Sequence, residues 1–339
     1  MSRTTRERGK TRFLDITVPP ERIATRARPK GTSRLLVIDR EPFRLRHRRF
    51  SDLPDILKEE GSPFLVILND TKVIKAMLPM FKPSGRRVLV LFVERTPYGF
   101  KGMVKGRMRE GWILRTPKGR EAKVLGRDEE GYVLLEMEDV FTVLEEEGRM
   151  PIPPYMGREP TPEDEEYYQT VYARNPGSIA APTAGLHFTP EIIERLKEEA
   201  VDVLYITLHV GVGTFKPVKD IRTHRMEREY YRIPEDVARR IEEHRRRGGK
   251  VLAVGTTTTR ALESWALTGL REGYTDLFIK PPYDFKVVDA LLTNFHLPDG
   301  TPILLTMAFA GEDVLKRAYE EALRRDYLFF SYGDATLIL

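Results

Sequence analysis

Residues 64–72 have the sequence FLVILNDTK, an apolar run that passes directly into polar residues. A continuous apolar run of this length is typical of a strand buried on both faces, as in parallel sheets covered by helices. Polar side chains at the end of such a strand leave the sheet at its edge, where mixed α/β proteins often bind ligands. The stretch therefore predicts an α/β fold with Asn69, Thr71 and Lys72 beside a binding site.

Three more predicted strands pass into polar loops in the same way. Residues 201–210, 251–254 and 287–293 lead into HVGVGTF, GTTTTR and NFH, respectively. Side chains that leave one edge of a sheet converge, so the four loops predict a shared cleft. The same patterns predict helices at 51–60 with Ser51 as N-cap, 191–199, 235–247, 260–268 and 312–325, and strands at 34–39, 230–233, 277–279 and 328–339.

Residues 177–188, GSIAAPTAGLHF, are rich in small side chains, which let the backbone approach a ligand or another segment closely. Thr189 and Pro190 then predict a helix start, as N-cap and first helical residue. The stretch fits a ligand-binding loop that carries His187, and it equally fits a tight buried turn with a packed histidine.

Residues 78–147 differ in sequence pattern from the rest of the chain. Short β-rich runs are separated there by Gly and Pro turns, a pattern that predicts a small antiparallel barrel or sandwich. Strand–helix alternation resumes afterwards. We therefore expect a main α/β domain of residues 1–77 and 148–339 that carries the cleft, and an inserted small β-barrel domain of residues 78–147.

The composition is that of a globular protein of 339 residues with a net charge of +5 and no cysteine. The absence of Cys excludes disulfides and thiolate chemistry, and together with abundant Arg, Lys and Glu it is often seen in hyperthermophile proteins. We expect a cytoplasmic, non-membrane protein with a flexible basic segment over residues 1–12. The basic clusters at 44–49 and 244–247 fit either an RNA backbone or a salt-bridged surface.

Histidines and one arginine are the candidates for chemistry within the predicted loops. His187, His209 and His296 could each move a proton near neutral pH. Residues 255–260 open a helix, which suits an anion at its N-terminus, although an ordinary threonine cap is equally compatible. Residues 211–213 form only GxG, there is no phosphate-binding P-loop motif, and no zinc-type His/Glu motif occurs, so no metal is expected.

Several long motifs occur in a fixed order along the chain: YQTVY, GSIAAPTAGLHF, TLHVGVGTFKPV, GTTTTRALES, KVVDALLTNFHLP and FFSYGDA. With these motifs the chain closely resembles the S-adenosylmethionine:tRNA ribosyltransferase-isomerase family of queuosine biosynthesis. The resemblance implies a larger, barrel-like mixed α/β domain with a smaller inserted β-barrel. It also implies transfer and isomerisation of the ribosyl moiety of S-adenosylmethionine onto 7-aminomethyl-7-deazaguanine at the tRNA wobble position, giving epoxyqueuosine, adenine and methionine.

The resemblance also implies roles for residues, with S-adenosylmethionine as co-substrate and no further cofactor. Candidates for proton transfer are His187, His209, His296 and Glu229. Residues expected to bind or orient substrate are Asn69, Thr71, Lys72, Tyr168, Ala184, Gly185, Phe188, Gly211, Gly213, Thr256, Arg260, Asn294 and Phe295. Within this set, Arg260 suits a carboxylate, and Tyr168, Phe188 and Phe295 could stack on a base.

Glu227 departs from the family pattern, in which many members have a second His at this position, and Lys72 stands where Arg is frequent. The alternatives are an S-adenosylmethionine-dependent tRNA methyltransferase and a non-catalytic tRNA-binding protein. The expected partners are S-adenosylmethionine and tRNA carrying the aminomethyl-deazaguanine base, bound by a monomer.

Overall fold

The structure is a computed structural model that describes residues 12–215, 218 and 220–339, with the backbone alone at residues 214 and 215. All but the last residue of the predicted basic segment 1–12 lies outside the described residues, as does part of the TFKPV motif.

Two groups of strands occur in the described chain. The main domain contains β1 (Arg34–Asp39), β2 (Arg44–Arg49), β3 (Phe64–Asn69), β4 (Thr71–Val73), β11 (Asn175–Ser178), β12 (Asp202–Leu208), β13 (Glu229–Arg232), β14 (Lys250–Val254), β15 (Glu272–Thr275), β16 (Ala290–Asn294) and β17 (Ala335–Ile338). The insertion contains β5 (Met77–Phe81), β6 (Arg87–Thr96), β7 (Gly99–Val104), β8 (Ile113–Arg115), β9 (Glu121–Arg127) and β10 (Val133–Glu136).

The described helices surround these strands. They are α1 (Leu53–Glu59), α2 (Val140–Glu147), α3 (Glu163–Tyr167), α4 (Pro190–Glu198), α5 (Glu235–Arg246), α6 (Thr256–Thr268), α7 (Thr301–Ala310) and α8 (Glu312–Arg324). Short 3-10 helices at Thr183–His187 and Val212–Phe215 lie in two of the loops singled out from the sequence.

The main sheet has nine strands in the order β15-β13-β12-β3-β14-β16-β17-β1-β2. Its central strands β12, β3, β14 and β16 are mutually parallel, so their carboxyl ends lie at one edge. This confirms the predicted alignment of the four polar loops.

Both faces of the sheet are covered by helices, which explains the uninterrupted apolar strands. In β3, Leu65 and Ile67 face the core shared with α5, α6, α7 and α8. Phe64, Val66 and Leu68 face the opposite core with α1 and α4. Alternate residues therefore serve two cores, and no polar face remains.

The inserted strands form a closed barrel in the order β10-β7-β6-β5-β8-β9. Every pairing is antiparallel, as predicted from the turn spacing. The barrel core also takes up Ile179 and Val212 from the main domain, so the two parts share packing. The mixed α/β fold with an inserted all-β barrel is confirmed, whereas the boundaries 78–147 stay a prediction.

Four local predictions were wrong. The strand predicted over 328–339 is confined to Ala335–Ile338. Ser51 does not cap the first helix, because it lies in a 3-10 turn at Phe50–Asp52 and α1 begins at Leu53. Residues 277–279 form no strand, since the Leu277 carbonyl accepts the Nε–H of Arg260 at 3.0 Å. The helix predicted from Arg260 begins four residues earlier, at Thr256.

Candidate active site

Asn69 joins the ends of two strands to the start of a helix. Its Oδ1 accepts the N–H of Leu208 at 3.0 Å and of Thr71 at 3.2 Å, and its Nδ2 donates to the Leu208 carbonyl at 3.0 Å. The same Nδ2 lies 3.3 Å from Oγ1 of Thr257 in α6. Asn69 is buried, so it fixes the sheet edge rather than facing a ligand.

A cleft of two adjoining cavities opens at this edge. The larger, about 340 Å³, is lined by the small-residue loop 180–184, by Asn294, by His296 and by the start of α7. The smaller, about 40 Å³, is lined by Gly213, Glu229 and Arg260. Val210, Thr256, Thr257, Thr301 and Pro302 line both. The small-residue stretch 177–188 is therefore one wall of the larger cavity, through Ala184 among others.

The four threonines at the start of α6 divide into two pairs. Thr258 and Thr259 turn their hydroxyls back to the carbonyls of Val254 and Gly255, at 2.6 and 3.1 Å. Thr256 and Thr257 line the cleft. The N-cap Gly255 supplies no side-chain cap, so the first N–H groups of α6 stay available to an anion.

Arg260 and Glu229 form a buried ion pair beside the smaller cavity. Nη1 of Arg260 donates to Oε2 of Glu229, and Oε1 of Glu229 accepts the N–H of Gly211 at 2.8 Å. Arg260 is 7% exposed, and its Nη2 is buried with no hydrogen-bond partner in the described chain. A buried guanidinium nitrogen without an acceptor is costly, and a carboxylate entering the cleft would satisfy it.

His187 lies behind the cleft with both ring nitrogens engaged. Nδ2 of Asn294 donates to its Nε2 at 3.1 Å, so Nδ1 carries the proton and donates to Oγ of Ser33 at 2.8 Å. Burial lowers the pKa of His187 to about 4, which keeps the ring neutral. The ring thereby fixes Asn294, whose buried Oδ1 has no partner in the described residues and whose side chain lines the larger cavity.

His296 is the histidine that lines the larger cavity. Its Nε2 lies 2.8 Å from Oγ1 of Thr293, whereas Nδ1 makes no hydrogen bond within the described ranges. Burial lowers its pKa to about 4, so the imidazole is neutral at physiological pH. A neutral ring with one free nitrogen is suited to accept a proton.

His209 lies at the end of β12, outside the lining of either cavity. Its Nδ1 is 2.8 Å from Oγ1 of Thr71, and its ring stacks on Tyr230 with centroids 5.5 Å apart. A Cβ added at Gly177 would lie 2.7 Å from Nε2 of His209, so this position of β11 needs glycine. Desolvation lowers the pKa of His209.

Of the three aromatic residues expected to stack on a base, only Tyr168 lines the cleft. Phe188 packs edge-on against Phe50 at 5.0 Å, and Phe295 packs against Phe329 at 4.9 Å. Both phenylalanines are fully buried in the cores, which leaves no face for a ligand.

The glycines predicted to bind substrate, and Lys72, lie in different places relative to the two cavities. Gly213 lines the smaller cavity, and a Cβ there would lie 3.2 Å from Cβ of Glu227. Gly185 packs against Tyr172, and a Cβ added at Gly185 would lie 2.1 Å from the Tyr172 hydroxyl. The N–H of Gly211 donates a hydrogen bond to Oε1 of Glu229. Lys72 is exposed on β4, next to Pro176 of β11.

The start of α7 is the part of the cleft that the sequence patterns missed. Asp299, Thr301 and Pro302 line the larger cavity, and the N-cap Gly300 again makes no side-chain cap. The run ILLTMAFA that follows is apolar apart from Thr306 and has no helical period, so it gave no signal. Only the Gly-Thr-Pro triplet before it indicates a helix start.

Glu227, the departure from the family pattern, lines the smaller cavity. Its Oε1 accepts a hydrogen bond from the hydroxyl of Tyr132 at 3.0 Å. Tyr132 precedes β10, so this bond joins the barrel to the cleft.

The described ranges contain no group of three His, Cys, Asp or Glu placed to hold a metal ion. They also contain no helix of the length and hydropathy that a bilayer crossing requires.

Comparisons with known proteins agree with this geometry. The sequence profile of the queuosine biosynthesis protein family matches residues 11–338. S-adenosylmethionine:tRNA ribosyltransferase-isomerase of Rubrobacter xylanophilus is 46% identical over 335 residues, covering 97% of this chain and 98% of that protein. The protein of the same name from Thermus thermophilus is 46% identical over 345 residues, covering 96% and 98%.

A solved structure is similar as well. The crystal structure of S-adenosylmethionine tRNA ribosyltransferase from Thermotoga maritima matches with a TM-score of 0.56 and 36% identity, over 96% of this chain and 99% of that one. The near-complete coverage of the profile, the relatives and the structure shows that the chain belongs to the queuosine biosynthesis family of S-adenosylmethionine:tRNA ribosyltransferase-isomerases.

Proposed function

We propose that the protein transfers and isomerises the ribosyl moiety of S-adenosylmethionine onto 7-aminomethyl-7-deazaguanine at the tRNA wobble position, releasing adenine and methionine. The names of its relatives support this activity. The observation that carries it is the unpartnered Nη2 of Arg260 beside a cleft that also holds the neutral His296.

Arg260 and the first turn of α6 bind the methionine carboxylate in this proposal. Nη2 of Arg260 lacks an acceptor, and the N–H groups at the start of α6 are uncapped. Both favour an anion at the same wall. The ribose and adenine then extend into the larger cavity, beside Tyr168 and Asn294.

His296 is the proton acceptor in this proposal. The positive sulfur makes the adjacent ribose carbon acidic, and the free Nδ1 of His296 takes that proton. The proton leaves with adenine when the bond between base and sugar breaks. The aminomethyl ammonium loses one proton to solvent, and its neutral nitrogen forms a bond to the ribosyl carbon chain. The carbon–sulfur bond breaks with its electron pair leaving on methionine, and the attacking nitrogen releases a second proton to solvent.

Asp299 is a carboxylate in the larger cavity that forms no ion pair within the described residues. We assign it the attraction of cationic groups: the sulfonium before reaction and the aminomethyl group on arrival. His187, His209 and Glu229 are positioning residues in this proposal, since each is engaged with protein groups.

The decisive experiment incubates the protein with S-adenosylmethionine and tRNA carrying the aminomethyl-deazaguanine base, followed by chromatography of the released purine and of digested tRNA. Adenine together with a ribosylated base is expected. S-adenosylhomocysteine and a methylated base would identify a methyltransferase instead, and tRNA binding without turnover would identify a non-catalytic protein.

S-adenosylmethionine is the sole co-substrate in this proposal, without a metal. We also propose a monomer that acts in the cytoplasm, where its tRNA substrate occurs. Sedimentation of the protein alone and with tRNA tests the oligomeric state.

A further inference from the structure

One end of the barrel carries five cations on two of its three loops, whereas the third loop carries Asp128, Glu129 and Glu130. Strands β5, β7 and β9 all end there, because neighbouring strands in the barrel are antiparallel. The loops at this end are 82–86, 105–112 and 128–132. The first two carry Lys82, Arg86, Lys105, Arg107 and Arg109, which we call the cationic rim.

No residue of the cationic rim forms an ion pair with any side chain that the structure describes. Lys82 instead donates to the Arg107 carbonyl at 2.8 Å. Two rim cations lie near the indole of Trp112, with Nζ of Lys82 5.6 Å and Cζ of Arg109 5.7 Å from its centroid. Unpaired cations around an aromatic ring are typical of surfaces that bind nucleic acid.

The cationic rim is at the barrel end that adjoins the cleft. Tyr132 belongs to the third loop at this end, and its hydroxyl donates to Glu227 in the lining of the smaller cavity. Val212, next to the cleft residue Gly213, packs into the barrel core. A polyanion lying across the rim is therefore held next to the cleft.

The two basic clusters found in the sequence do not have this position. In β2, Arg44 and Arg46 bond Asp39, and Arg48 bonds Glu59, so this cluster is a salt-bridged surface. The cluster 244–247 ends α5, and His244 lies 3.2 Å from the Pro63 carbonyl, just before β3. That is the amino edge of the parallel strands, opposite the cleft.

We propose that the cationic rim binds the phosphate backbone of the substrate tRNA next to its wobble nucleotide, so that the flipped base enters the cleft. This inference rests on the proposed function. Phosphate contacts position a nucleic acid without reading its sequence, which suits an enzyme that recognises one modified base in the cleft.

The test compares two triple variants. Lys105→Gln/Arg107→Gln/Arg109→Gln removes three exposed cations of the rim. Arg245→Gln/Arg246→Gln/Arg247→Gln removes three exposed cations at the opposite edge and is the matched control. Fluorescence anisotropy with precursor tRNA gives Kd across a range of KCl concentrations. Steady-state kinetics give KM for tRNA and for S-adenosylmethionine, and circular dichroism checks folding.

The rim variant should raise Kd and KM for tRNA at least tenfold, with KM for S-adenosylmethionine unchanged. The slope of log Kd against log salt should fall by about 2 to 3, since each lost phosphate contact removes about 0.7 to 0.9. The control should stay within twofold of wild type. The proposal would be overturned by equal losses of tRNA affinity in both variants, or by no loss of affinity in the rim variant. No loss is the result expected if the rim instead binds an acidic protein.

Failure of this inference can be told apart from failure of the proposed function. If the wild-type protein releases no adenine, the proposed function is wrong. The inference about the rim is tested separately, because the tRNA affinities of the two variants are measured without turnover.

Discussion

Arg260 is paired with Glu229 through Nη1 only, and Nη2 of the same guanidinium has no partner among the described side chains. Its Nε–H is taken by the Leu277 carbonyl at 3.0 Å. Two of the three guanidinium nitrogens, Nε and Nη1, are thus held by protein acceptors. The N–H groups of Nη2 therefore keep a constant direction. Glu229 offsets the charge, and binding at Nη2 therefore depends on hydrogen-bond geometry as much as on net charge.

Replacing Arg260 by Lys should raise KM for S-adenosylmethionine by roughly 10- to 100-fold, because Lys keeps the charge facing Glu229 but cannot present a second fixed donor. Steady-state kinetics with saturating tRNA measure this. Arg271→Lys, the same exchange in an exposed pair with Glu235, is the control. An unchanged KM in Arg260→Lys would remove Arg260 from carboxylate binding.

His296→Gln should lower kcat by about 10²- to 10⁴-fold, since Gln can still bond Thr293 but accepts no proton. Because the pKa of His296 is about 4, protonation of this ring should not reduce wild-type kcat between pH 6 and pH 8. The measurement is single-turnover adenine release. His244→Gln, at the opposite edge, should leave the rate unchanged, and a variant His296→Gln within threefold of wild type would contradict the assignment.

His187 should make the protein less stable in acid. Its pKa falls from 6.5 in the unfolded chain to about 4 in the folded one, so the unfolded state binds more protons between these values. The stabilisation is complete above pH 6.5 and is lost as pH falls toward 4. From pH 7 to pH 5 this linkage removes about 2 kcal/mol from the free energy of unfolding.

Chemical denaturation of wild type and His187→Gln at pH 7 and pH 5 checks that number. The variant should be less stable at pH 7, and its loss between the two pH values should be about 2 kcal/mol smaller than in wild type. The same pH dependence in both proteins would show that His187 does not titrate as described.

Asp299→Asn should reduce kcat/KM for tRNA by about tenfold or more, because the neutral amide no longer attracts a cationic group in the larger cavity. Competition between wild-type and variant turnover on the same precursor tRNA measures the ratio. Asp313→Asn, in the first turn of α8, is a matched exchange away from the cleft. Equal effects of the two exchanges would argue against a role in the cleft.

Glu227→His, which restores the residue frequent in the family, should keep kcat within about threefold, since an imidazole can also accept the hydrogen bond of Tyr132. Glu227→Leu removes the acceptor and should cost about 1 kcal/mol of stability. Thermal unfolding and adenine release test both variants. Activity lost in the His variant alone would mean that the carboxylate itself is needed.

The architecture could be predicted from sequence where hydrophobic periodicity was strong. The continuous run in β3 predicts a strand between two cores, and the regular turns of 78–147 predict the barrel. Thr189 caps α4 as expected, with its side chain accepting the Ile192 N–H at 3.3 Å. Each of these follows from local chemistry.

Other features depend on contacts that no local pattern carries. The sequence RLRHRR indicates a basic cluster, yet it forms β2, because Asp39, Glu59 and Glu60 neutralise its arginines. The apolar residues 277–279 form a loop because a guanidinium takes one of their carbonyls. Which histidine faces the cleft is likewise decided by tertiary packing.

The position of β17 has a consequence for synthesis. This strand lies between β16 and β1 and pairs in parallel with β1, roughly 300 residues earlier in the chain. At a synthesis rate of about 5 to 20 residues per second, β17 leaves the ribosome about 15 to 60 s after β1. Until then, β1 and its hairpin partner β2 cannot pair with the rest of the main sheet. The barrel, whose strands are contiguous, can form first, so nascent chains should expose an unfinished main sheet to chaperones.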